Sequence, residues 1–498
     1  MKKISVKNIW ALAALLSLGA CKKQLDLYPY SSIEISQSFK TVKDATTYNV
    51  GLYADFRGTQ YGSYMFSQDV QADQLNATLD FGNRNGNPHR WGQSFLSDDG
   101  ALSGAWAGYY FALRNINLCI ENFPKIPTTT PAEATSLNKY IGDAYLARAY
   151  YYSELIKRFA KPYEAATASS DLGVPLVLKY DVPAKPTRAT VKQVYDQILA
   201  DIAQAKTLIT NSGTVGASSF NKDVVLALES RVRLNMQDWS GAMAIANTLI
   251  SSGTYPLVTT SASFSAMWKT DATAESIMQC FVSAPNELPN TNNIYLGYTA
   301  ATGRYTPDFL PTQSIINFFE TGDYRKTAYF AVLPVTIQGV AYSTLTLVNK
   351  YPGNPSLFTT AATNYAQAPK AFRIAEQYLI YAEAAARLGG ANEALGLARL
   401  NLLRQARGLT ASTATGAAYL QAVKDERTRE FAFEGYRLWD LKRWHEGFTR
   451  GTPQNLNPIN QGPTYNLLTI QPDDLKFVWG LPLNDMTANP NLTQNPGW

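Results

Sequence analysis

Glu430 and Glu434, four residues apart, are the carboxylate pair best suited to acid–base chemistry in this sequence. On a helix that spacing puts both on one face, in the range of separations that glycoside hydrolysis uses. Arg427, Arg429 and Arg437 flank them, however, and guanidinium groups that close hold both acids ionised, the opposite of a general acid. The pair therefore reads as an ion-pair network fastening the last helices together, and Asp440 with Arg443 reads the same way. Asp98 and Asp99, with Asp69 or Asp73, offer the oxygen ligands that calcium takes but match no calcium-loop spacing, so solvated turn acids are the expectation. His89 and His445 are the only histidines, too few for a histidine-based triad or a His-rich metal site. Neither a G-x-S-x-G elbow nor a phosphate-cradling G-x-x-x-x-G-K loop occurs. No catalytic residue, metal or cofactor is expected.

Phe81 to Phe95, FGNRNGNPHRWGQSF, carries different ingredients: a tryptophan, two arginines and three asparagines in a glycine-loosened loop. An aromatic face covers the apolar C–H face of a pyranose, while amides and guanidinium groups bond its hydroxyls. Trp91 is the expected platform, with Arg90, Asn76 and Asp73 as polar partners; the alternative is that Trp91 packs under its own loop. Tyr295, Tyr298 and Tyr305, from a second loop-rich stretch, are further candidate contacts, again with loop packing as the alternative. Tyr150 to Tyr152 read as core and scaffold.

These residues need a scaffold, and the composition supplies one. Of 498 residues 46% are apolar and only 17% charged, with 30 Tyr and 9 Trp. Such a chain buries a large core, and its surface leans on Tyr, Asn, Thr, Ser and Gln. The net charge of +5 is scattered, without the basic stripe that nucleic acid requires. Met1, Lys2 and Lys3, an apolar run from Ile9 to Leu18, then Gly19, Ala20 and Cys21 lay out an export signal too short to span a bilayer. Leu18-Gly19-Ala20-Cys21 has the form of a bacterial lipobox, so Cys21 is the expected lipidation site; several acyl chains there would anchor the protein stably. The other reading is a plain secretory signal with an incidental cysteine. Cys119 and Cys280 lie among apolar neighbours and read as buried thiols, with a disulfide between them left open.

Helical spacing marks Val42 to Arg57, Trp106 to Phe123, Ala132 to Phe159 and Val191 to Ile209, with Pro183 and Pro186 as a hinge before the last. Val224 to Ser251 and Gln377 to Arg404 each read as two helices with a break, at Gln237-Asp238 and at Gly389-Gly390. Ala242 and Ala246, like Ala394 and Ala398, stand four apart in the second helices, the look of a tetratricopeptide repeat. Small residues let helix axes approach, and such hairpins stack over a shared core. Residues 58–104 and 255–369 differ, being loop-rich, with short strand-like runs at Ile277 to Val282 and Leu345 to Val348. Long loops laid on a rigid scaffold are where binding usually sits. The expected class is mainly α: a tetratricopeptide-like helical-repeat scaffold with a loop-rich region carrying short strands. The expected organisation is an export signal over 1–20, an anchor and tether over 21–38, and one globular domain over 39–498.

Lys424 to Trp444 reads KDERTREFAFEGYRLWDLKRW: a Glu-Arg pair, Glu-Gly, then Arg-x-x-Asp-Leu-x-Arg-Trp. Leu481 to Trp498 reads LPLNDMTANPNLTQNPGW, with an Asn-Pro-x-Leu-x-Gln-Asn-Pro-Gly-aromatic ending. With Arg148 to Tyr163, Gly173 to Leu176, Arg373 to Ala386 and the lipobox, these segments resemble the SusD/RagB family from end to end and in order. Ala160, where the family commonly has glycine, and Leu481-Pro482-Leu483, in place of a more usual Ile-Pro, depart from its pattern. The resemblance implies tetratricopeptide-like helix pairs cradling a loop-rich region. It also implies an outer-membrane lipoprotein facing the cell exterior, which captures oligosaccharide on aromatic platforms and delivers it to a SusC-like TonB-dependent transporter. A transporter adaptor without its own sugar affinity, or a binder of peptides or other nutrients, is the alternative.

Overall fold

Residues 38–498 are described by a computed structural model; the export signal and Cys21 lie outside them. The longer helices in chain order are α1 (Val42–Gly58), α2 (Ser63–Gln71), α3 (Gly100–Asn122), α4 (Pro131–Phe159), α5 (Val191–Leu208) and α6 (Lys222–Asn235). They continue with α7 (Trp239–Ser251), α8 (Ser261–Lys269), α9 (Ile374–Leu388), α10 (Ala391–Ala406), α11 (Gly416–Glu430) and α12 (Arg437–Trp444). Threonine side chains open several of them. Thr41, Thr130 and Thr190 each accept from the third helical N–H while Asp44, Glu133 and Gln193 reach back, so α1, α4 and α5 begin with reciprocal caps. α1 and α3 pack on α4, and α4 on α5, so successive helices share one core.

The two helical hairpins are present, and they stack: α9 packs against both α6 and α7 as well as on its own partner α10. Left-handed residues make the breaks, Gln237 (φ 58°) in the first and Gly389 and Gly390 (φ 66° and 59°) in the second. Ala242 and Ala246 are buried, as close helix packing requires. Ala394 and Ala398 are exposed instead. The close approach in the second hairpin belongs to Gly396, where a Cβ would stand 2.5 Å from Ala385 Cβ and 2.2 Å from the Tyr419 hydroxyl. The small residue that faces the partner helix is thus Gly396, on a different face from the two alanines.

Short strands stitch the two loop-rich stretches to each other and to the helices. In chain order they are β1 (Leu75–Ala77), β2 (Ser276–Gln279), β3 (Tyr298–Thr299), β4 (Arg304–Tyr305), β5 (Phe309–Pro311), β6 (Phe330–Val332), β7 (Val335–Ile337), β8 (Val340–Tyr342), β9 (Thr346–Val348) and β10 (Lys370–Arg373). β1 pairs antiparallel with β5, Asn76 opposite Leu310, so residues 58–104 are joined to residues 255–369 by backbone hydrogen bonds. β10 pairs with β2 and leads straight into α9.

A buried charge network locks α11 to this region. Glu430 accepts from Arg373 (2.7 Å), from Arg407 (2.9 and 3.0 Å) and from Arg325 (3.1 Å). Glu434 accepts from Lys350 (2.7 Å) and Arg373 (2.7 Å). The network is the one expected, with different cations. The sequence neighbours point elsewhere: Arg427 bonds Asp440, Arg429 bonds Glu426 and Arg437 bonds Asp73. Burial works to raise the Glu430 carboxyl, and Arg407, Arg373 and Arg325 outweigh it and hold it well below the carboxylate range. It is thus fixed as an anion, as a general acid cannot be. Cys119 and Cys280 are unbonded and buried, and burial pushes each thiol up to about 12.

Candidate functional site

The loop from Phe81 to Trp91 folds over one short helical turn, Gly86–Arg90. Asn83 and Asn85 take left-handed backbone angles, φ 60° and 55°, which asparagine tolerates better than most residues. A cleft of about 580 Å³ opens between this loop, the start of α2 and the turn at Asn293–Tyr295. Asn83, Asn85, Asn87 and Asn293 line it, with Phe66 and Ile294 as its apolar side and Arg84, Asp99 and Asp308 as its charged side chains. That volume falls within the ~300–1,000 Å³ common for small-ligand sites.

The amides are held by the protein itself. Arg90 donates to Asn83 Oδ1 at 2.7 Å and to Asn87 Oδ1 at 2.8 Å. Asn87 Nδ2 in turn donates to Asp99 Oδ2 at 3.2 Å, and Asn85 Oδ1 accepts from the Ser67 hydroxyl at 3.3 Å. With their oxygens taken, Asn83 and Asn85 keep N–H₂ groups as free polar ends, suited to ligand oxygens. Gly86 makes the arrangement possible: a Cβ there would stand 2.1 Å from Asn83 Oδ1. Arg84 closes on Asp308, Nε to Oδ2 at 2.7 Å with a second bond from Nη2. Burial pushes the Asp308 carboxyl up while Arg84 pulls it down, leaving it raised.

The candidate residues fall into three places. Trp91 is not an open platform. It is buried in the main core, its Nε1 donates to the Gln71 carbonyl at 2.6 Å, and its ring meets Phe477 and Phe448 edge-on at 4.9 and 5.7 Å. Its indole N–H needed a buried acceptor and found one, which draws the ring beneath the loop. Asn76 and Tyr295 are likewise enclosed: Asn76 lies on paired β1, and the Tyr295 hydroxyl donates to Asp69 at 3.1 Å. Asp73 is held by Arg437 at 2.8 and 3.0 Å and lines a different pocket, beside α11 and α12. Arg90 stays at the cleft, behind the asparagines it orients. Tyr298 and Tyr305 face each other across β3 and β4 with ring centroids 5.0 Å apart. They adjoin Gly297 and Thr306 of the cleft wall.

Part of the cleft stands in the sequence as the consecutive run Asn83 to Asn87, all of which line it. Phe66, Asn293 and Asp308 had no local signal, since only the pairing of β1 with β5 brings them together. The acidic group does not converge: Asp69 bonds Tyr295 and the Gly435 N–H, Asp73 bonds Arg437, and Asp99 caps α3 through the Ala101 N–H. Among the described residues no three His, Cys, Asp or Glu side chains are grouped to hold a metal ion.

Comparison with known proteins gives one answer at both ends of the chain. Residues 340–498 match the model described as the SusD family. Residues 23–234 match a SusD-like model described as starch-binding, associating with outer membrane. A SusD-like protein, P38, of Formosa agariphila is 25% identical over 568 residues, covering 99% of each chain. A SusD superfamily protein of Bacteroides thetaiotaomicron superposes with a TM-score of 0.79 at 22% identity, over 92% of this chain and all of that one. A SusD-like carbohydrate binding protein of Bacteroides vulgatus superposes with a TM-score of 0.73 at 20% identity, covering 91% of this chain and 98% of the other. With a SusD family model matched over residues 340–498, a SusD-like model over residues 23–234 and a SusD-like relative aligned throughout, this chain is similar to the SusD family along its length and shares the fold of solved members.

Proposed function

We propose that the protein binds oligosaccharide in the asparagine-lined cleft and delivers it to a SusC-like TonB-dependent transporter in the outer membrane. The observation that carries this reading is the set of amides at the cleft, Asn83 and Asn87 oriented by Arg90 and Asn85 by Ser67. Amide N–H₂ groups, the Asp99 carboxylate and the Thr306 hydroxyl match a ligand built of hydroxyl, ring and glycosidic oxygens. Phe66, with Tyr298 and Tyr305 beside the wall, offers apolar faces for sugar C–H groups. The carbohydrate-binding names of relatives and the family description support the same class of ligand. Anchoring through acylated Cys21, with the cleft facing the cell exterior, fits the lipobox form of residues 18–21 and the family's association with the outer membrane. The protein acts by capture, not by catalysis: it raises the oligosaccharide concentration over the transporter.

A glycan-array screen of the full chain in detergent micelles tests this reading, with Asn83→Ala and Asn293→Ala run beside it. The expected result is binding to one glycan class, weakened about tenfold by each substitution through loss of one or two ligand hydrogen bonds. Binding that is untouched by both substitutions would remove the cleft from the account. No binding by folded protein would favour the adaptor reading, in which the transporter alone recognises nutrient.

A further inference from the structure

The sequence carries a net charge of +5, yet the cleft lining sets one cation, Arg84, against two carboxylates, Asp99 and Asp308. Arg84 is already closed on Asp308 by two N–H···O bonds. Asp99 is matched only by neutral donors, the Ala101 N–H at 2.8 Å and the Asn87 amide at 3.2 Å. Arg90 stands behind the wall, its guanidinium held by Asn83, Asn87 and the Tyr465 hydroxyl at 3.1 Å. Nearby acids add to the same sign: exposed Asp98 precedes Asp99, and the Asp80 carbonyl and carboxylate bind Arg84 and Gln338 respectively.

Resting on the glycan reading above, we propose that the cleft selects neutral oligosaccharides and rejects those bearing uronate or sulfate groups. An acidic sugar would set a second negative charge beside Asp99. The one lining cation, Arg84, is already shared with the buried Asp308 carboxylate, so an acidic sugar would compete with that carboxylate for it. A neutral ligand meets neither obstacle. Its oxygens accept from the Asn83 and Asn85 amides, and its hydroxyls donate to Asp99. Like charges about 4 Å apart discriminate by about fivefold even in bulk water and more strongly near a protein surface, less at high salt.

Isothermal titration of the full chain in detergent micelles tests this, using oligosaccharides of equal length. A neutral set (gluco-, manno-, xylo- and galacto-configured) is compared with galacturonate and mannuronate oligomers. The expected result is binding within the neutral set, with every oligouronate weaker by about tenfold or more. Asp99→Asn, which keeps a helix-capping side chain, should narrow that gap, and Asp308→Asn, which frees Arg84, should narrow it further. An oligouronate bound as tightly as the best neutral ligand, or a gap unchanged by both substitutions, overturns the selectivity while leaving glycan binding intact. Binding of neither set by folded protein overturns the glycan reading together with the selectivity.

Discussion

Arg90 donates separately to the Asn83 and Asn87 side-chain oxygens, a fork that a lysine ammonium does not reproduce. Arg90→Lys is therefore expected to weaken oligosaccharide binding by about tenfold while costing ~1 kcal/mol or less in stability. Calorimetric titration beside urea unfolding separates the two effects. Trp91 should behave in the reverse way. Because its ring is enclosed between Phe448 and Phe477, Trp91→Ala should cost about 3–5 kcal/mol of stability, with little change in the affinity of the folded protein. Urea midpoints check the first part and titration the second. The loop's composition announced recognition, but not which side chains faced out. Tryptophan and arginine are enriched where proteins bind partners, yet here their long side chains had internal partners within reach. The short asparagines on either side of Gly86 did not cover one another.

At the scale of elements, α11 carries the start of the Lys424–Trp444 segment into a buried lattice of charge. Glu430 lies among Arg325, Arg373 and Arg407, so Glu430→Gln should destabilise by about 3–5 kcal/mol, since it leaves one buried positive charge uncompensated although each arginine keeps a second acid, Asp323, Glu434 or Glu275. Urea unfolding reads this directly. Buried ion pairs in this lattice and elsewhere set the response to acid. Burial works to raise the Glu154, Glu383 and Glu426 carboxyls; Lys157 and Arg158, Arg443, and Arg325 with Arg429 respectively outweigh it and hold each at about 2. An unfolded glutamate titrates near ~4.3, so between these values the unfolded chain binds more protons. The stabilisation is complete above that range and is lost as pH falls through it toward ~2. Asp69 has the opposite sign. Burial, against the Tyr295 hydroxyl and the Gly435 N–H, pushes it up to about 7. The folded carboxyl then keeps a proton that the unfolded one releases near ~3.9, so its contribution declines as pH rises toward neutrality. Asp69→Asn should flatten that decline in urea midpoints measured from pH ~4 to ~7. Helix positions and the paired hairpins were legible because apolar spacing and left-handed breaks are local. The cations around Glu430 were not, because Arg325, Arg373 and Arg407 come from three distant segments while the flanking arginines turn to Asp440, Glu426 and Asp73.

Over the whole molecule, stacked helical hairpins and their neighbours form a scaffold, and strand pairs such as β1 with β5 clamp the two loop-rich stretches into one cleft. No helix among the described residues is long and apolar enough to cross a membrane. On the proposed reading a captured ligand must also leave for import, and a cleft whose free polar ends are mostly neutral amides suits modest affinity. Hydrogen–deuterium exchange of the full chain in detergent micelles, with and without a saturating oligosaccharide, tests the location of capture most directly. Added protection is expected to be confined to residues 81–95 and 293–308, the two sides of the cleft. Protection confined to the pocket beside α11 and α12, or none at all on saturation, would contradict it.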